Sequence, residues 1–287
     1  MVERRFACTQ CGACCNRAPE LELGEAAALA DVFVLRLMLR LYSLPRSLAD
    51  YALPNQPRDQ ASAEFYQTKR LLSAFAASSW PAKVLRGGKV VDYTQYLSLS
   101  VLPLDLGTGA CTALYGTRCS IYERRPLSCR SVPLHYSRAE AFAARDLDAF
   151  VAAPGYTCAT GDEAPVVITA GAIVDAVSLT ARSAALRQAA IDQRWKRSIV
   201  SAMKTSQHGL PTPKEVESQA GAGALSASMH SAWQVAVTAK LLDPAAARGL
   251  VKAQSALIGR TLTQSPLSED ARLTLNEMQC EYARVQD

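Results

Sequence analysis

Four cysteines crowd into the stretch CTQCGACC near the N-terminus, as Cys8, Cys11, Cys14 and Cys15. They resume a long way downstream in CTALYGTRCSIYERRPLSC, as Cys111, Cys119 and Cys129, and Cys158 follows in PGYTC. Eight thiols make two sets of four, and four thiolates are what a tetrahedral zinc ion or one iron–sulfur cluster takes. A C-x2-C loop aims both sulfurs at one ion, whereas neighbours such as Cys14 and Cys15 rarely bridge each other without strain. Such adjacent thiols suit either two metal centres or two atoms of one cluster. Gly12, inside the loop, lets the backbone turn closely around an ion. Because every candidate ligand is a thiolate, zinc and iron fit equally well.

The surroundings point the same way. Arg4, Arg5, Arg118, Arg124, Arg125 and Arg130 lie within a few residues of these cysteines, and arginine offsets the negative charge of thiolates by hydrogen bonds and by its own charge. The histidines are His135, His208 and His230, and only His135 is near a cysteine segment, so a mixed His/Cys zinc hydrolase has little support. A Cys129–His135 nucleophile pair is conceivable, but a spacing of six residues says little about distance in space, and a structural His135 is the plainer expectation. Pro126 and Pro133 restrict the backbone around Cys129, and Tyr122 is expected to pack its ring near the site with its hydroxyl on a polar partner. Cys280, in NEMQCEYARV, reads as a buried small apolar residue on a helix. No glycine-rich dinucleotide or P-loop motif is present, so no nucleotide or flavin cofactor is indicated.

These blocks carry a resemblance. FACTQCGACC followed by CSIYERRPLSCRSVP resembles the bacterial CxxCxxCC zinc- or iron-chelating proteins, also called YkgJ-like cysteine-cluster proteins. The likeness covers roughly residues 6 to 160, its specific parts being the two motif blocks and the trailing cysteine. It implies a metal-binding module whose ligands are Cys8, Cys11, Cys14, Cys15, Cys111, Cys119, Cys129 and Cys158, and it implies zinc, iron or an iron–sulfur cluster as the bound group. A related architecture occurs in flagellin lysine methylases, but the blocks here look closer to the simpler chelating proteins. The chain departs from compact members by a long insertion, residues 16–110, and by the region after about residue 165.

The elements that must position these thiols are mixed. The expected fold is α+β: a small metal-stapled cysteine-cluster domain with a few short strands over residues 1–165, then a mainly helical region over 166–287. Helices are expected from about Glu20 to Leu44 and from about Ala61 to Ala77. A strand pair is expected around Arg86–Gly88, and a short polar helix after Cys129. The stretch from Asp31 to Leu44 carries Arg36 and Arg40 four apart, which reads as one face of an amphipathic helix. Thr212-Pro213, Asp243-Pro244 and Ser265-Pro266 each read as a cap followed by proline at a helix start. Thr205–Pro213 and Ala220–Ala224 are the expected flexible points.

Composition bounds the rest. The 287 residues carry 31 basic and 26 acidic side chains, a formal charge of +5 with no basic run, so nucleic-acid binding is not implied. MVERRFACTQC lacks the apolar stretch of a secretory signal, and no segment reaches the ~20 apolar residues of a membrane span. A cytoplasmic protein is expected, in which nine cysteines argue for metal or thiol chemistry over disulfides. The resulting expectation is a metal-binding cysteine-cluster protein with redox chemistry open to it. The alternatives are a structural zinc module whose helical region binds a protein partner, and a metal-sequestering or metal-delivering protein. No catalytic residue is assigned.

Overall fold

KVLRGGKVV turns back on itself because Gly87 and Gly88 both adopt positive φ, 56° and 78°, the backbone that a tight two-residue hairpin requires. In this computed structural model, which describes residues 3–206, 224–264 and 266–284, Arg86 faces Lys89 across that turn and the pairing runs back to Ala76 opposite Ser98. In chain order the elements are β1 (Glu3–Arg5), α1 (Leu23–Ala27), β2 (Leu35–Pro45), α2 (Leu48–Tyr51), α3 (Arg58–Phe75), β3 (Ala76–Arg86), β4 (Lys89–Pro103), β5 (Leu114–Tyr115) and β6 (Arg118–Cys119). Then come α4 (Leu127–Arg130), α5 (Ala143–Val151), β7 (Val166–Thr169), β8 (Ala172–Ile173), α6 (Ala176–Thr205), β9 (Ala224–Ser228), α7 (Met229–Thr238), α8 (Pro244–Gln264) and α9 (Glu269–Ala283). Three sheets result, ordered β1-β7-β8, β3-β4-β2-β9 and β5-β6. The fold is thus mixed helix and strand with a helical C-terminal region.

The chain forms two compact units, each assembled from three segments. The first comprises residues 1–11, 40–98 and 127–190, and the second comprises 12–39, 99–126 and 191–287. In the first unit β1 pairs antiparallel with β7, Arg4 opposite Ile168. Phe6, Leu134, Leu147, Val167 and Ile168 form one apolar cluster there, while Leu71, Phe75, Tyr136 and Phe142 centre another.

In the second unit Leu21, Leu23, Leu35, Leu99, Trp233, Ile258 and Leu275 are buried. A polar centre lies among the buried residues of this unit: Lys196, with 0% of its side chain exposed, donates from Nζ to Glu22 Oε2 at 2.8 Å. Asp192 Oδ2 accepts from the Gly24 N–H at 3.0 Å. Gln254, also fully buried, accepts from the Leu35 N–H at 2.8 Å and donates to the carbonyls of Ala30 and Phe33. Burial of this kind without partners would cost several kcal/mol.

Several expected elements differ. The helix expected from Glu20 to Leu44 is a five-residue helix, α1, followed by the strand β2. Leu35, Leu37 and Leu39 are buried and alternate with partly exposed Arg36, Met38 and Arg40. An even spacing of four keeps two arginines on one face of a strand as well as of a helix, and the strict alternation of leucines is the period-2 signal that decides it. The region after residue 165 is mainly helical, as expected, and also includes the short strands β7, β8 and β9.

The start expected at Ser265-Pro266 falls later: Ser268 caps α9, its Oγ accepting from the Ala271 N–H at 3.2 Å. Asp243 does cap α8, its Oδ1 accepting from the Ala245 and Ala246 N–H groups. Thr212-Pro213 and most of the two glycine- or proline-rich points lie outside the described residues. Cys280 is exposed, because the buried stripe of α9 is Ala271, Leu275, Met278 and Tyr282 and Cys280 falls off it. Among the described residues no helix is long and apolar enough to cross a membrane.

Candidate metal centre

Gly12 opens the second unit and shapes its cysteine segment. Its φ is +76°, and a Cβ there would come within 2.9 Å of the Thr117 carbonyl oxygen, so both backbone sign and space call for glycine. From Gly12 the chain makes one 3-10 turn, Ala13–Cys15, closed by the Cys15 N–H on the Gly12 carbonyl at 2.9 Å. The Cys15 carbonyl in turn accepts from the Cys111 N–H at 2.8 Å, which joins two segments far apart in sequence. Beyond Cys111 a turn leads into the β5–β6 hairpin, where Cys119 stands opposite Leu114.

Electrostatics couples these thiols in two pairs, Cys14 with Cys15 and Cys111 with Cys119. The Cys15 thiol donates to the Cys14 sulfur, and with the charges of Arg125 and Arg17 this holds Cys14 down at about 6 against the opposing effect of burial. Burial pushes Cys111 above the ordinary thiol value, and Cys119 adds to that shift; the Ala113 N–H, donated to the Cys111 sulfur, opposes it. Arg125 is itself fixed: its guanidinium lies 3.6 Å from the centre of the Tyr122 ring, and its Nε donates to the Tyr122 carbonyl at 2.9 Å. The tyrosine therefore acts on the site by placing an arginine. Arg17 was not singled out by sequence, although it follows Cys15 by only two positions.

In the first unit a backbone bridge organises the other thiols. Ala7 and Ala159 exchange N–H···O bonds of 2.8 and 3.1 Å in antiparallel sense, which sets Cys8 and Cys158 side by side at one end of the bridge. The Gln10 N–H donates to Cys8 Sγ at 3.4 Å, with Gln10 at φ +57°, so the C-x2-C loop curls around its first sulfur. Cys158 packs against the cluster containing Phe6 and Leu134. Cys129 sits in the single turn of α4, braced by Ser131 Oγ donating to the Ser128 carbonyl at 3.0 Å. Arg4 and Arg5 hold the scaffold rather than a sulfur: Arg4 grips Asp148 at 2.7 and 2.8 Å, and Arg5 donates to the Ala164 carbonyl at 2.9 Å.

Of the remaining sequence candidates, His135 engages Ser137 at 2.8 Å and stacks on Tyr136, and Arg124 faces Asp31 at 4.0 Å. His208 lies outside the described residues. No disulfide joins the cysteines. Among the described residues no three Cys, His, Asp or Glu side chains converge closely enough to hold a metal ion. The expected metal-stapled domain is therefore not visible as a formed staple; backbone bonds and apolar packing hold these segments. The donor set nevertheless suits a thiophilic metal, since it consists of thiols with N–H donors and arginines turned toward them. Comparison with models of protein families, with curated proteins and with solved structures gives no match.

Proposed function

We propose that this protein binds zinc, iron or an iron–sulfur cluster through Cys8, Cys11, Cys14, Cys15, Cys111, Cys119, Cys129 and Cys158, in the manner of the YkgJ-like chelating proteins it resembles. One observation carries the reading: Cys15 is tied to Cys111 by a backbone bond and to its neighbour Cys14 by a thiol contact, with Cys119 close enough to act on Cys111. Thiols drawn from distant segments into one half-buried place, with arginine charge beside them, form a poor apolar core and a good soft-metal site. Zinc there would supply a structural clamp, and an iron–sulfur cluster a one-electron couple. The chain's own contribution is to position the sulfurs and to supply charge: the Gln10 N–H donates to the Cys8 sulfur, and Arg17 and Arg125 favour the Cys14 thiolate.

The test is elemental analysis of protein purified without oxygen, together with its visible spectrum. Bound zinc without colour, or iron with acid-labile sulfide and a brown absorption band, is the expected result. Cys11→Ser and Cys129→Ser should each lower bound metal, and Cys280→Ser should leave it unchanged. Fully reduced protein that carries and takes up neither zinc nor iron overturns the reading.

A further inference from the structure

Resting on that reading, we infer that the protein builds two separate four-thiolate centres, one from Cys8, Cys11, Cys129 and Cys158 and the other from Cys14, Cys15, Cys111 and Cys119. The sequence motif C-x2-C-x2-C-C leaves the grouping open, because adjacent thiols such as Cys14 and Cys15 suit either two centres or one cluster. The cut between the two compact units falls inside that motif, between Cys11 and Gly12, and a second cut falls between Cys119 and Cys129. Each unit thereby owns four of the eight cysteines, the number that a tetrahedral zinc ion or one iron–sulfur cluster takes.

Independent geometry supports the second set and the Cys8–Cys158 part of the first, with Cys129 assigned by its place in the first unit. In the second unit the Cys15–Cys111 backbone bond, the seating of Gly12 against Thr117 and the Leu114–Cys119 register bring two loops and a hairpin together. In the first unit the Ala7–Ala159 bridge brings the C-x2-C loop to Cys158. In the first set the Gln10 N–H also donates to the Cys8 sulfur at 3.4 Å, which curls the C-x2-C loop toward Cys158. Cys14 and Cys15, adjacent in sequence, then serve one centre. Since no three of these side chains converge as they stand, binding draws each set inward and shields its four thiols together.

The test uses the full chain, reduced and loaded with Zn²⁺ alone, with metal counted per chain and thiols counted by alkylation and mass spectrometry. Two zinc ions are expected. The double variant Cys8→Ser/Cys158→Ser should keep one ion, with Cys14, Cys15, Cys111 and Cys119 still shielded. Cys15→Ser/Cys111→Ser should keep the other, with Cys8, Cys11, Cys129 and Cys158 shielded. A single zinc lost in both variants, or a shielded set that mixes the two groups, overturns the partition while leaving metal binding intact. No zinc and eight equally reactive thiols overturn the partition as a pair of zinc centres, and the same outcome after loading with iron and sulfide overturns the metal-binding reading itself. Should a variant fail to fold, the wild-type chain loaded with ¹¹³Cd²⁺ reads the ligands directly: each cadmium resonance must couple to the β-protons of one set, and coupling across the sets refutes the assignment.

Discussion

Two polar regions of the second unit handle the same problem, charge removed from water, in opposite ways. Around Lys196 the protein supplies its own answer, with the ammonium on Glu22, the Asp192 carboxylate on the Gly24 amide and the Gln254 side chain on three backbone groups. Around Cys14, Cys15, Cys111 and Cys119 the segments are positioned mainly by backbone bonds, and the Cys14 thiol is held well below the ordinary thiol value. The first region is closed within the chain. On the proposed reading the second is completed by a cation from outside the chain, which is how a metal-binding segment differs from a structural polar core.

If the two regions are independent, each can be broken alone. The largest effect is expected from Lys196→Met, which strands a buried carboxylate: urea unfolding at pH 8 should show about 3–5 kcal/mol lost, with metal content unchanged. A parallel fall in metal would show that the regions are coupled. Next is the pH response of Glu22, which burial pushes up to about 7 from 4.5 although Lys196 opposes the shift. Between those values the folded chain holds a proton that the unfolded chain has released, so this group's contribution to stability declines as pH rises through the window and levels off above it. The decline is about 3 kcal/mol at most. Comparing denaturation of wild type and Glu22→Gln at pH 5 and pH 8 should show a flatter response in the variant.

A smaller loss is expected from Gly12→Ala, which forces a side chain into positive φ against Thr117. About 1–3 kcal/mol should go, and under the two-centre proposal one bound ion should go with it while the other stays. The smallest effect belongs to Arg4→Ala. Its pair with Asp148 is largely exposed, worth about 0.2–1 kcal/mol, and a larger loss in thermal melting would mean that the pair anchors the Cys8 segment as well as decorating it.

Local signals carried well from sequence to structure. The Gly87–Gly88 hairpin, the helix α3, the helix after Cys129 and the Asp243 cap all follow from side chains acting on their own neighbourhood. The segment after Asp31 did not carry over, because an i, i+4 arginine pair satisfies two periods and only the leucine alternation distinguishes them. Cys280 was misplaced for a similar reason: its burial depended on the phase of the α9 stripe, which a lone cysteine does not report. For the thiols, residue type and spacing pointed to a metal, but the grouping depends on bonds such as Cys15–Cys111 and Ala7–Ala159, whose partners are distant in the chain and leave no local trace.

The Ala7–Ala159 bridge also sets a timetable. Cys8 emerges from the ribosome near the start of synthesis and Cys158 about 150 residues later, so at about 5–20 residues per second it waits about 7–30 s for its neighbour. Cys14 and Cys15 wait only until Cys119 appears, some 40 residues sooner. A nascent chain that acquires metal as it grows would therefore fill the second unit first, leaving Cys8 and Cys11 as the thiols longest exposed to oxidation or to a wrong ion.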